Sequence, residues 1–84
     1  MRCEELAKAF GVILRKQRKL KKISQEALAE KADVASKMVS LIERFERNPT
    51  LNLADSLAQG LGVPLWQLLK EADELRKKER SGRK

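Results

Sequence analysis

Apolar positions recur along the chain at spacings of three and four, without the strict alternation of a half-buried strand, and this periodicity predicts helices throughout. Leu6, Phe10, Ile13, Leu14 and Gln17 trace one stripe of a first helix running from about Glu4 to Leu20, whose basic residues face away from that stripe. Ser24 stands before Gln25, Glu26 and Ala27 as an N-cap, and Glu26 falls in a first turn where the helix dipole favours negative charge. A second helix therefore spans about Gln25 to Ala32 and buries Leu28, Ala29 and Ala32. Asp33, Val34 and Ala35 interrupt the pattern, which resumes from Ser36 to Arg44 with Val39 and Ile42 as inward positions. Two short helices with a three-residue break make a tight helix-turn-helix over about residues 24–44.

The segment from Phe45 to Thr50 reads as a loop, because Pro49 disfavours helix at the residue before it. A fourth helix runs from about Leu51 to Leu61, carries Leu57, Ala58 and Leu61 inward, and ends at Gly62. Pro64 suits the first turn of a fifth helix, expected to reach about Lys78. There Leu65, Leu68, Ala72 and Leu75 form a heptad-like seam, with Trp66 and Leu69 on an adjacent stripe; one stripe can face the core and the other a second subunit. Asp73 with Lys77, and Glu74 with Lys78, are spaced as favourable i,i+4 pairs. The expected architecture is a compact, all-α, five-helix domain over residues 1–78, followed by a basic, frayed or disordered tail over residues 79–84.

Composition narrows the function. The chain has 84 residues, 42% apolar and 37% charged, enough for one small core and too few for a separate sensing or catalytic domain. With no histidine, no tyrosine and one cysteine, the usual general base, the Ser-His-Asp and Cys-His arrangements and a Cys/His zinc site are all missing. No catalytic residue, metal site or cofactor is expected, and the protein does not read as an enzyme. Lone Cys3 cannot form an internal disulfide, which fits a reducing, cytoplasmic setting. No apolar run approaches the ~20 residues that span a bilayer, and the N-terminus lacks the apolar stretch of a signal peptide.

Nineteen Lys+Arg against twelve Asp+Glu give a net charge of +7, a balance suited to a polyanion, either nucleic acid or an anionic membrane surface. Much of that charge falls in two clusters: Arg15, Lys16, Arg18, Lys19, Lys21 and Lys22, then Arg76, Lys77, Lys78, Arg80, Arg83 and Lys84. With Val39 and Ile42 inward, the open face of the third helix carries Ser36, Lys37, Ser40, Leu41 and Arg44. In a major groove, Lys can donate to guanine, Ser can reach several base edges and Leu can touch a thymine methyl.

From about Phe10 to Leu69 the sequence resembles the Xre family, the helix-turn-helix of phage Cro and repressor proteins. The resemblance is carried by "FGVILRKQRK", "ISQEALAEKADVASKMVSLIE", "RNPTLNLADSLAQGLGV" and "PLWQLL" in order and spacing. It implies a lambda-repressor-like fold, with Ser36, Lys37, Ser40 and Leu41 reading bases. It further implies DNA-backbone contacts from Gln25, Arg44 and Asn48, and a pair, Arg18 with Glu43, tying helix 1 to the end of helix 3. The basic face of helix 1, including Arg15, and nearby Lys22 are then expected beside the DNA backbone. Three positions where the family often has glycine carry Lys22, Asp33 and Phe45, and Ala35 replaces the usual capping residue, so Ser36 could be drawn into capping.

The function implied is a sequence-specific transcriptional regulator, a repressor or controller-type autoregulator. It would bind a double-stranded, pseudo-palindromic operator as a homodimer through Leu65, Trp66 and Leu69. A phage repressor, a restriction-modification controller and an antitoxin are all compatible settings. The rival reading is a protein-binding adaptor, which Val12 and Ile13 beside Phe10 would support if both lay on the surface.

Overall fold

The structure, a computed structural model, describes residues 5–81, with side chains described through Glu79. Within them lie five helices: α1 (Glu5–Leu20), α2 (Gln25–Ala32), α3 (Ser36–Glu43), α4 (Leu51–Leu61) and α5 (Leu65–Ser81). Cys3, the expected helix start at Glu4, and the basic end at Arg83 and Lys84 lie outside the described residues.

Local chemistry sets the boundaries. Ser24 Oγ accepts from the Ala27 N–H at 3.0 Å and opens α2; Thr50 Oγ1 does the same for the Leu53 N–H and opens α4. Ala35, at the N-cap of α3, offers no side-chain bond. Lys22, Asp33 and Phe45 all adopt left-handed backbone, with φ of 58°, 61° and 64°. These are the three positions occupied by other residues where the family often has glycine, so the turns keep their path and the side chains bear the strain. At Asp33 the turn is closed by the Val34 N–H donating to the Ala29 carbonyl at 2.9 Å. Gly62 ends α4 at φ 78° with the equivalent bond from Val63 to Ala58.

All five helices contribute to one core. Phe10 and Leu14 of α1, Leu28 of α2, Val39 and Ile42 of α3, Leu57 of α4 and Leu68 of α5 are essentially inaccessible. The packing of α1 on α3 is unusually close at Gly11, where a Cβ would come within 2.5 Å of the Ile42 carbonyl oxygen. The Phe45 ring lies over the same glycine, so this residue covers the α1–α3 contact although it remains partly exposed. Gln17, expected on the apolar stripe, instead donates through Nε2 to Glu71 at 3.1 Å and links α1 to α5.

Three expectations are corrected. The helix does not stop at Lys78: α5 continues through Glu79 to Ser81, because the segment lacks glycine or proline until Gly82 and is rich in good helix formers. Glu74 pairs back with Lys70 at 3.7 Å, where Lys78 was the expected partner, whereas Asp73 does meet Lys77 at 3.3 Å and also Arg76 at 2.9 Å. Those two cations, Arg76 first, hold the Asp73 carboxyl below its usual range. Leu65 and Leu69 do not stand on an outward stripe; both pack partly buried against the core. Of the three residues assigned to a subunit interface, Trp66 is the most exposed, at 65%.

Candidate nucleic-acid interface

The third helix divides into two faces. Val39 and Ile42 are buried, while Ser36, Lys37 and Arg44 are exposed and Ser40 and Leu41 are half-buried between them. Ser36 is not spent on capping, since the N-cap of α3 is Ala35 and the first turn is closed by the Met38 N–H donating to the Ala35 carbonyl. The outer face is therefore a narrow strip of two hydroxyls, an ammonium and an aliphatic edge, ending in a guanidinium at the C-cap.

What aims this strip is a buried ion pair. Arg18 Nε donates to Glu43 Oε2 at 2.8 Å and Nη2 to Oε1 at 2.9 Å, a bidentate fork. Its Nη1 reaches the Ile23 carbonyl at 3.0 Å, so one side chain ties the end of α1 to the α1–α2 turn and to the end of α3. Side-chain exposures of 10% and 2% put this pair in a different class from a surface ion pair. The hydrogen bonds that Arg18 donates to Glu43 raise its pKa against the opposing effect of burial.

Gln25 joins this cluster. Its Nε2 donates to Glu43 Oε1 at 3.1 Å, so the side chain expected to reach DNA is turned inward and helps hold α2 against α3. Arg15 and Lys22 are exposed, as are Lys16 and Lys19. Arg44 is exposed but paired: its Nη2 meets Glu46 Oε1 at 2.7 Å, which raises the guanidinium pKa. Asn48 is exposed and stands on the wall of a groove of about 290 Å³ that Leu6, Phe10, Leu51 and Leu69 also line. Ile13 is buried at 5% exposure while Val12 is exposed, so the paired surface patch that would have supported the adaptor reading is not formed.

One functional signal was overlooked in the sequence. From Asn48 to Leu69 the only charged side chain is Asp55, in a chain that is 37% charged. Two of the most exposed large apolar residues, Leu51 and Trp66, fall within that stretch. Among the described residues, no helix is long and apolar enough to cross a membrane.

Two packed helices joined by a left-handed turn, the second presenting a polar, cationic outer face, define a helix-turn-helix domain. The family model described as helix-turn-helix matches residues 14–65, more than half of the chain, and the chain belongs to that family, in agreement with its Xre-like motifs. It is 38% identical over 66 residues to the HTH-type transcriptional regulator SinR of Bacillus licheniformis, a match covering 77% of this chain and 60% of that protein. Among solved structures it resembles the clp gene regulator ClgR of Corynebacterium glutamicum, with TM-score 0.85, 27% identity, and coverage of 92% of this chain and 82% of that one. It also resembles the restriction-modification controller protein C.AhdI of Aeromonas hydrophila, with TM-score 0.71, 34% identity, and coverage of 74% and 94%.

Proposed function

We propose that the chain is a sequence-specific DNA-binding transcriptional regulator, of repressor or controller type, that binds a pseudo-palindromic operator as a homodimer. The observation that carries this reading is the outer face of α3, where Ser36, Lys37, Ser40 and Leu41 are presented on a helix locked from behind by Arg18 and Glu43. Lys37 and Ser40 read base edges in the major groove. Arg15, Lys22, Arg44 and Asn48 face the phosphate backbone, which fixes register without specifying sequence. Because the Gln25 amide is held by Glu43, its share of the phosphate contact comes from the N–H groups and dipole at the start of α2.

Dimerisation places two such helices ~34 Å apart, in successive major grooves. Copies of a +7 chain repel one another, and the charge-poor stretch around Leu51 and Trp66 is where that repulsion is weakest. The likeness to SinR, ClgR and C.AhdI supports a regulatory role, with which a non-catalytic protein in the cytoplasm alongside the DNA is consistent.

Selection of binding sites from random DNA tests the proposal. The expected outcome is a two-fold symmetric motif with half-sites about one helical turn apart. Lys37→Ala should relax preference at one position in each half-site and weaken binding by ~1–3 kcal/mol. If the pure protein showed no preference among random sites at moderate salt, base reading by α3 would be wrong.

A further inference from the structure

The end of the reading helix is built on an unusual turn. Phe45 sits at φ 64°, and the turn is closed by the Phe45 N–H donating to the Ile42 carbonyl at 3.1 Å and the Glu46 N–H donating to the Leu41 carbonyl at 2.8 Å. This reversal brings the side chains of residues 44 and 46 to the same side of the chain, where Arg44 Nη2 and Glu46 Oε1 meet at 2.7 Å. Both side chains are more than half exposed, at 59% and 52%, so this contact does not build the core. Its position gives it a different meaning: it places a carboxylate on the cation that ends the DNA-facing strip.

We propose that Glu46 is an affinity-limiting residue, an internal anion that competes with a DNA phosphate for the Arg44 guanidinium. The inference rests on the reading that Arg44 faces the DNA backbone. A guanidinium already paired with a carboxylate carries little net charge toward its surroundings, so docking it on a phosphate releases less counterion than a lone arginine would. The phosphate must also displace the carboxylate or accept a like charge a few ångströms away. Either way DNA affinity is held below what the basic surface could deliver. The effect is shared by operator and non-operator sequences, because a phosphate contact carries no base information. Such a limit keeps a strongly basic chain from being held on random DNA.

The test is a double-mutant cycle on the full chain with Glu46→Gln, Arg44→Ala and the double variant. Binding is titrated at several salt concentrations on a mixed-sequence duplex long enough for two half-sites, and helix content is checked by circular dichroism. Glu46→Gln should tighten binding about two- to five-fold, the range expected for release of an exposed ion pair. It should also steepen the slope of log K against log salt by up to about 0.9. Both changes should largely vanish in the Arg44→Ala background. Unchanged or weaker binding by Glu46→Gln would overturn the proposal, the latter showing that Glu46 positions Arg44 instead. An equal gain in both backgrounds would overturn it too, reducing the effect to overall charge. If Arg44→Ala alone left binding untouched, the placement of Arg44 against DNA would fall first, and this inference with it.

Discussion

Replacing Arg18 by methionine separates what holds the fold from what aims the reading helix. Methionine keeps the apolar stem and removes the guanidinium, leaving the Glu43 carboxylate 2% exposed with Gln25 as its remaining neutral partner at 3.1 Å. Two charge-assisted bonds to Glu43 and one to the Ile23 carbonyl disappear together. Breaking a buried pair from one side costs about 3–5 kcal/mol. A domain of 84 residues has a total stability of only about 4–12 kcal/mol, so the variant should be marginal, with a melting temperature lower by at least ~12 °C. Urea unfolding followed by circular dichroism measures this directly, and the loss should change little between low and high salt because the pair is screened from solvent. The companion double variant, Arg18→Met with Glu43→Leu, removes both charges and should recover much of the stability. It should not recover operator affinity, because nothing then anchors the end of α3 to the end of α1. A loss below ~1 kcal/mol for Arg18→Met would refute the reasoning, placing the pair among ordinary surface ion pairs. Restored DNA binding in the double variant would refute the aiming role alone.

Other substitutions probe the same scaffold. Gly11→Ala drives a Cβ against the Ile42 carbonyl, a backbone atom that cannot rotate away. Overpacking of about 1–3 kcal/mol outweighs the ~1 kcal/mol that alanine adds to helix propensity, so urea midpoints should fall; a rise would mean that α1 and α3 are less tightly apposed. Lys22→Gly relieves left-handed strain of about 1–2 kcal/mol at an exposed side chain, against ~0.4–1 kcal/mol of added unfolded-state entropy, and should stabilise slightly. Phe45→Gly relieves the same strain but removes the ring over Gly11, and should destabilise; equal effects at the two sites would show that the ring contributes nothing. Trp66→Asp should shift the solution mass toward monomer and weaken operator binding steeply; an unchanged mass would place the interface elsewhere.

Helix positions were legible because local chemistry marks them. Ser24 before α2 and Gly62 after α4 are capping residues whose preferences depend on a few neighbouring atoms. Lys22, Asp33 and Phe45 were legible as departures, and the structure gives each a left-handed backbone, but whether a side chain there breaks the turn depends on how much strain the surrounding core overrides. The inward turn of the Gln25 amide was not legible, because it follows from three helix ends converging on Glu43 rather than from spacing within one helix. The same holds for Leu65 and Leu69: a seven-residue repeat shows that two stripes exist, and the packing of α5 on α1 decides which one is covered. The continuation of α5 past Lys78 was not legible from its place at the chain end, where fraying is the usual expectation, although Lys, Arg and Glu are good helix formers.

Under the proposed function, charge is segregated along this chain so that one small domain can meet DNA and a second copy, which make opposite demands. DNA requires cations at the surface, and Arg15, Lys16, Lys19 and Lys22 are exposed around the end of α1. A second copy requires their absence, and the segment from Asn48 to Leu69 has a single acidic residue and no basic one. The two contacts should therefore answer to salt in opposite senses. Screening weakens the attraction to phosphates, whereas it relieves repulsion between two +7 chains and leaves the apolar contact proposed for exposed Trp66 unaffected. On that reading, operator binding at moderate salt should gain more from dimerisation than from bare attraction, because the symmetric pair of α3 helices would hold under conditions that release non-specific contacts. That balance favours a weak backbone contact over a strong one, and a carboxylate held against Arg44 at the end of α3 works in the same direction.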